Sequence, residues 1–113
     1  MLADRGAAMD SKTERKVIHW REIAIELRYV PEWSRVLTKT YGEPLAHLEF
    51  RTISPSDAPL PITETGYKSM FLMDSEIREF GGAENFARAV LDDAARDKNW
   101  QAYEEQARQL SLF

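Results

Sequence analysis

Apolar and polar positions alternate along two stretches of the first half of the chain. Ile23, Ile25, Leu27 and Tyr29 fall on one face, with Ala24, Glu26, Arg28 and Val30 on the other, until Pro31 interrupts the pattern. A period of two predicts a half-buried strand, and a proline deprives it of a backbone donor. Trp33, Val36 and Leu37 have the spacing of a short helical turn, and Tyr41-Gly42-Glu43-Pro44 reads as a turn. The alternation then resumes with Ala46, Leu48, Phe50 and Thr52 facing inward and His47, Glu49 and Arg51 outward. Antiparallel pairing of these strands sets Glu26 and Arg28 across from Arg51 and Glu49 on the solvent face.

The prolines of Ser54-Pro55-Ser56-Asp57-Ala58-Pro59-Leu60-Pro61 exclude a central strand and predict an extended connecting loop. Ile62 to Tyr67 leads into a third strand, Lys68 to Met73, apolar on both faces as a central or helix-covered strand is. After the break at Gly81-Gly82, the repeat of Ala83, Phe86, Ala87, Val90, Leu91 and Ala94 predicts a helix over 83–96, with Glu84 placed favourably for its dipole. A second stripe, Trp100, Tyr103, Ala107 and Leu110, is out of phase with the first, so a bend is expected at 97–99, where an acid or amide caps a new helix. This stripe is read as core packing. The pattern predicts an α+β fold, a small antiparallel sheet of about three strands packed against C-terminal helices. Residues 1–14, small and polar without apolar period, read as a disordered arm, 15–108 as a single domain and 109–113 as a tail.

The 113 residues, 43% hydrophobic, are enough for one core. The absence of cysteine excludes disulfides, thiolate zinc sites and cysteine nucleophiles. No apolar run reaches the length of a membrane span and no leader is recognisable at the N-terminus, so a soluble cytoplasmic protein is expected. A net charge of −4 argues against sequence-specific or general nucleic-acid binding. Lys12, Arg15, Lys16 and Arg21 cluster around Trp20 near the N-terminus, which reads as a solvated, mobile segment.

Candidate catalytic chemistry is lacking. His19, just before the first strand, and His47, on the exposed face of the second, do not stand in a metal-binding spacing. Asp92 and Asp93 are adjacent on a helix and point about 100° apart. No phosphate-cradling glycine loop or nucleophile elbow is present. A non-enzymatic protein without cofactor or metal is expected.

The most specific feature is Gln109-Leu110-Ser111-Leu112-Phe113. An amide able to donate and accept is followed by three large apolar anchors. The segment resembles, in full, the Gln-Leu-(Ser or Asp)-Leu-Phe peptides that bind the bacterial DNA sliding clamp, a ring with one such pocket per subunit. From average residue usage the pattern arises by chance roughly once in 10⁵ to 10⁶ windows, against about a hundred windows in this chain. The resemblance implies a replication or repair accessory or inhibitor that docks on the clamp, and a self-associating form would engage two pockets with gain in avidity. Docking as an extended segment requires the last helix to fray near Arg108. The competing reading is that Leu110, Leu112 and Phe113 fold back to cap the core.

A second candidate surface is the 59–68 loop, where Thr63, Glu64, Thr65, Tyr67 and Lys68 follow a rigid proline lead-in; the two threonines also suit backbone satisfaction in a turn. The run from Pro59 to Ser69 resembles segments of small uncharacterised proteins from proteobacterial plasmids and integrated elements. If this loop is the working surface, the chain is a self-contained interaction protein, such as a toxin–antitoxin partner or host-defence inhibitor.

Overall fold

The computed structural model describes residues 13–110. Four antiparallel strands, β1 (Glu14–Trp20), β2 (Ile23–Val30), β3 (Leu45–Ser54) and β4 (Tyr67–Met73), form a meander in the order β1-β2-β3-β4. The helices are α1 (Arg35–Tyr41), α2 (Asp74–Glu79), α3 (Ala83–Ala94) and α4 (Lys98–Leu110). The fold is α+β, as the pattern predicts, with one strand more than expected.

The extra strand is β1. Glu14 to Trp20, assigned to the arm and the mobile basic segment, pair with β2 in the register Ile18↔Ile25 and Trp20↔Ile23. Only Ile18 and Trp20 of this strand are buried, and two inward anchors at the end of a run that opens Glu14-Arg15-Lys16 make a weak periodic signal. Tertiary bonds hold the strand: Trp20 Nε1 donates to Asp92 Oδ1 at 2.8 Å, Lys16 pairs with Glu84 at 2.6 Å, and Arg88 donates to the His19 carbonyl at 3.1 Å. His19 therefore lies within β1, and Arg15, Lys16 and Trp20 belong to the sheet. Residues 1–12 of the predicted arm lie outside the described residues.

The inward residues of β2 and β3 are the predicted ones. Ile25, Leu27, Ala46, Leu48 and Phe50 are at most 2% exposed and pack with Ile77 of α2, Phe86, Ala87 and Leu91 of α3, and Trp100 of α4. On the other face the register sets Glu26 opposite Arg51 and Arg28 opposite Glu49, with Arg28 3.8 Å from the Glu49 carboxylate. In the core, the Tyr29 hydroxyl donates to Asp74; burial first, and that bond second, push the phenol well above its ordinary range.

Helix α3 ends at Ala94, close to the predicted limit. The bend falls as expected: Asp97 Oδ2 accepts from the Trp100 amide at 3.1 Å and opens α4. The short α2, which the pattern did not reveal, follows directly on β4.

His47 is the main departure on β3. Expected to be exposed, it is 5% exposed, because Trp33 and Phe71 close over it with ring centroids 4.5 Å away on either side. Burial lowers its basicity below the ordinary histidine value, with the Arg28 charge acting in the same direction and Glu49 against it.

Candidate functional site

Two surfaces carry the candidate residues, and α4 contributes to both. Its first turn is anchored by Trp100, which is 8% exposed and lies 6.2 Å from the Trp20 ring. Tyr103, one turn on, stacks on Trp100 at 5.2 Å but is 43% exposed, and Ala107 and Leu110 are exposed as well. The stripe read as core packing enters the core at Trp100 alone. Beyond its first turn the helix borders a cleft against the β1–β2 turn and the 55–59 segment, and its apolar residues there stay exposed.

Gln109 and Leu110 occupy the last turn of α4, which is helical past Arg108, so docking as an extended segment requires this turn to unwind. Glu105 holds that turn together, accepting from Arg108 at 2.9 Å and from the Gln109 amide at 3.4 Å. Leu110 is 66% exposed. Ser111, Leu112 and Phe113 lie outside the described residues.

The second surface is built by the 55–66 loop. Thr52 Oγ1 donates to the Ala58 carbonyl at 2.9 Å, and Leu60 and Thr63 exchange backbone bonds at 2.8 and 3.0 Å. Gly66, at φ +80°, comes so close to the loop that a Cβ there would sit 3.0 Å from the Ala58 oxygen. The loop is thus fixed on the sheet. Its prolines face α4 across two adjoining clefts of about 600 and 680 Å³. Pro59, Trp100 and Tyr103 line both; Glu64 and Asp97 belong to the first, and Arg21 and Glu104, ion-paired at 2.7 Å, to the second.

The five loop residues do not converge on one point. Thr63 Oγ1 donates to the Tyr67 carbonyl at 2.8 Å, and Thr65 Oγ1 lies 3.3 Å from both the Tyr67 carbonyl and its amide. Both hydroxyls serve the backbone. The Tyr67 hydroxyl donates to Glu49 at 3.1 Å on the open face of the sheet, under the Arg51 guanidinium 4.8 Å from its ring. Lys68, next along the strand, alternates to the other face, and Glu64 turns to the first cleft. What brings a site together is instead Pro59, Trp100 and Tyr103, of which sequence reasoning assigned the aromatic pair to the core. Their spacing of three along a helix was legible; the loop facing them was not.

Aromatic rings, prolines and scattered charges suit the binding of an extended chain. Among the described residues no group of three or more His, Asp or Glu is arranged to hold a metal ion, and no helix is long and apolar enough to cross a membrane.

A family model described as the KlcB third domain matches residues 13–100. The chain belongs to this family. No curated protein and no solved structure matches it. The KlcB third-domain match spans β1 to the first turn of α4 and stops at the Trp100 anchor. The exposed outer part of α4 and the Gln109–Phe113 segment follow the matched domain.

Proposed function

We propose that this chain is a plasmid-associated, non-enzymatic accessory protein of the cytoplasm that docks on the bacterial DNA sliding clamp through Gln109, Leu110, Ser111, Leu112 and Phe113. The complete five-residue motif carries the reading. Two further observations support it. The motif begins on an exposed helical turn, past the part of the chain that matches the KlcB third domain. From Glu105 to Leu110 every residue is exposed, so unwinding that turn for docking costs local helix and the Glu105 bonds rather than core contacts.

Three apolar anchors yield about 1.5–3 kcal/mol each on burial, and ordering the segment takes back a large part, which leaves micromolar affinity for a single tail. The test is calorimetry of the purified protein with a bacterial sliding clamp, with deletion of 109–113 and the Leu112→Ala, Phe113→Ala double variant as controls. Micromolar binding that both changes abolish, at unchanged thermal unfolding, is expected. No binding by the folded protein, or binding that survives the deletion, overturns the reading.

A second reading is favoured by one observation, the pair of clefts between the 55–64 segment and α4. Here the protein grips a partner in the groove, and the terminal residues serve the fold. This reading predicts that Tyr103→Ala removes partner binding and that deleting 109–113 lowers the unfolding temperature.

A further inference from the structure

The outer edge of β4 is open over only a short stretch. β4 ends the sheet. The Thr52 amide donates to the Gly66 carbonyl at 2.7 Å, and the Asp74 amide to the Pro44 carbonyl at 2.9 Å. With the register Phe50↔Lys68, Leu48↔Met70 and Ala46↔Leu72, these bonds assign Lys68, Met70 and Leu72 as the residues that exchange backbone bonds with β3. The backbone groups of Tyr67, Ser69 and Phe71 consequently point away from the sheet. Those of Tyr67 are taken: Thr65 Oγ1 accepts from its amide, and the Thr63 and Thr65 hydroxyls donate to its carbonyl. At the other end the chain turns into α2 after Met73. The open stretch runs from Ser69 to Phe71.

We infer that this stretch pairs with the same stretch of a second copy, antiparallel about a two-fold axis at Met70, to join two sheets into one. In that register Ser69 of each copy faces Phe71 of the other, and about four backbone hydrogen bonds form, two per Ser69–Phe71 pair. The side chains are self-complementary. The small Ser69 stands beside the large Phe71, twice, on the open face, where Phe71 is 53% and Trp33 38% exposed with their rings 5.4 Å apart. Lys68 falls opposite Leu72 of the other copy, so no like charges meet. The other edge of the sheet, β1, presents Glu14, Arg15, Lys16 and His19, the charged guard typical of an edge that stays single. The threonine cap ends the ladder at Tyr67, so the interface is small and its affinity weak, in the micromolar range for contacts of this class.

This inference does not rest on the clamp reading, and its test contains no clamp. Sedimentation velocity of the full chain from micromolar to millimolar concentration should show a monomer–dimer equilibrium. Hydrogen exchange of the same samples should show the Ser69 and Phe71 amides protected only where dimer is present, with Met70 and Leu72 protected throughout. Ser69→Pro removes an outward donor that β3 does not use and should raise the dissociation constant about tenfold or more. Should that variant fail to fold, Ser69→Lys, at an exposed position, brings two charges together near the axis and should have the same effect. A monomer at all concentrations, a dimer in which Ser69 and Phe71 exchange freely, or a folded Ser69 variant that dimerises as the parent does overturns the inference.

Discussion

Helices α3 and α4 are nearly equal in length, 12 and 13 residues, and both carry an apolar stripe at helical spacing, yet they meet the sheet in opposite ways. Helix α3 buries Phe86, Ala87 and Leu91 against the strands and is tied to β1 through Glu84, Arg88 and Asp92. Helix α4 buries only Trp100, and its next turns border an open cleft. A stripe states that a helix has a face able to be covered; whether anything covers it depends on where the previous turn delivers the chain. In α3 the stripe is structural. In α4 the same signal supplies one wall of a groove and leads to the motif.

The largest effect that separates the two helices is Leu91→Ala, which removes a fully buried side chain. It should cost about 2–5 kcal/mol of folding stability, read from urea or thermal unfolding, and a loss below about 1 kcal/mol would break the contrast. Tyr103→Ala on α4 should cost less, about 0.5–1.5 kcal/mol, the worth of a ring contact at a half-open site. A smaller effect, gated by pH, belongs to α3 alone. Hydrogen bonds from Lys16 and Arg88 hold the Glu84 carboxyl below its ordinary 4.5. Its folded pKa is depressed, so its contribution is fully present above 4.5 and is lost as pH falls through the folded value. The stability difference between the parent and Glu84→Gln should therefore be seen at neutral pH and vanish in acid; a difference that is flat with pH would remove the electrostatic tie from the account. The smallest effect on stability is expected from deleting 109–113, within about 0.5 kcal/mol, and this same deletion is expected to have the largest effect on clamp binding. A clear fall in unfolding temperature would instead place the segment in the fold and make α4 resemble α3.

Much of the fold was legible because its signals are local. Strict alternation in Ile23–Val30 and Ala46–Thr52 gave the two central strands and even the pairing of Glu26 with Arg51 and Arg28 with Glu49, since a strand buried on one face has only one register that keeps its apolar set inside. Gly81-Gly82 and the stripe after it marked α3, and Asp97 marked the start of α4. The candidate groove was half legible: the prolines mark 54–61 as an extended connecting loop and the spacing of Trp100 and Tyr103 marks a helical stripe, but nothing in either segment says that they face one another.

By itself the sequence determined the α+β class, the core faces of β2, β3 and α3, the bend at 97–99 and the five-residue motif, because periodicity, caps and short motifs depend on neighbours in the chain. Only the tertiary structure decided that Glu14–Trp20 is a strand, that Trp33 and Phe71 bury His47, and that α4 enters the core through Trp100 alone. Each of these depends on partners far along the chain, such as Trp20 with Asp92 or Trp33 with Phe71. Burial and hydrogen-bond satisfaction are properties of what packs against a residue, and no local pattern encodes them.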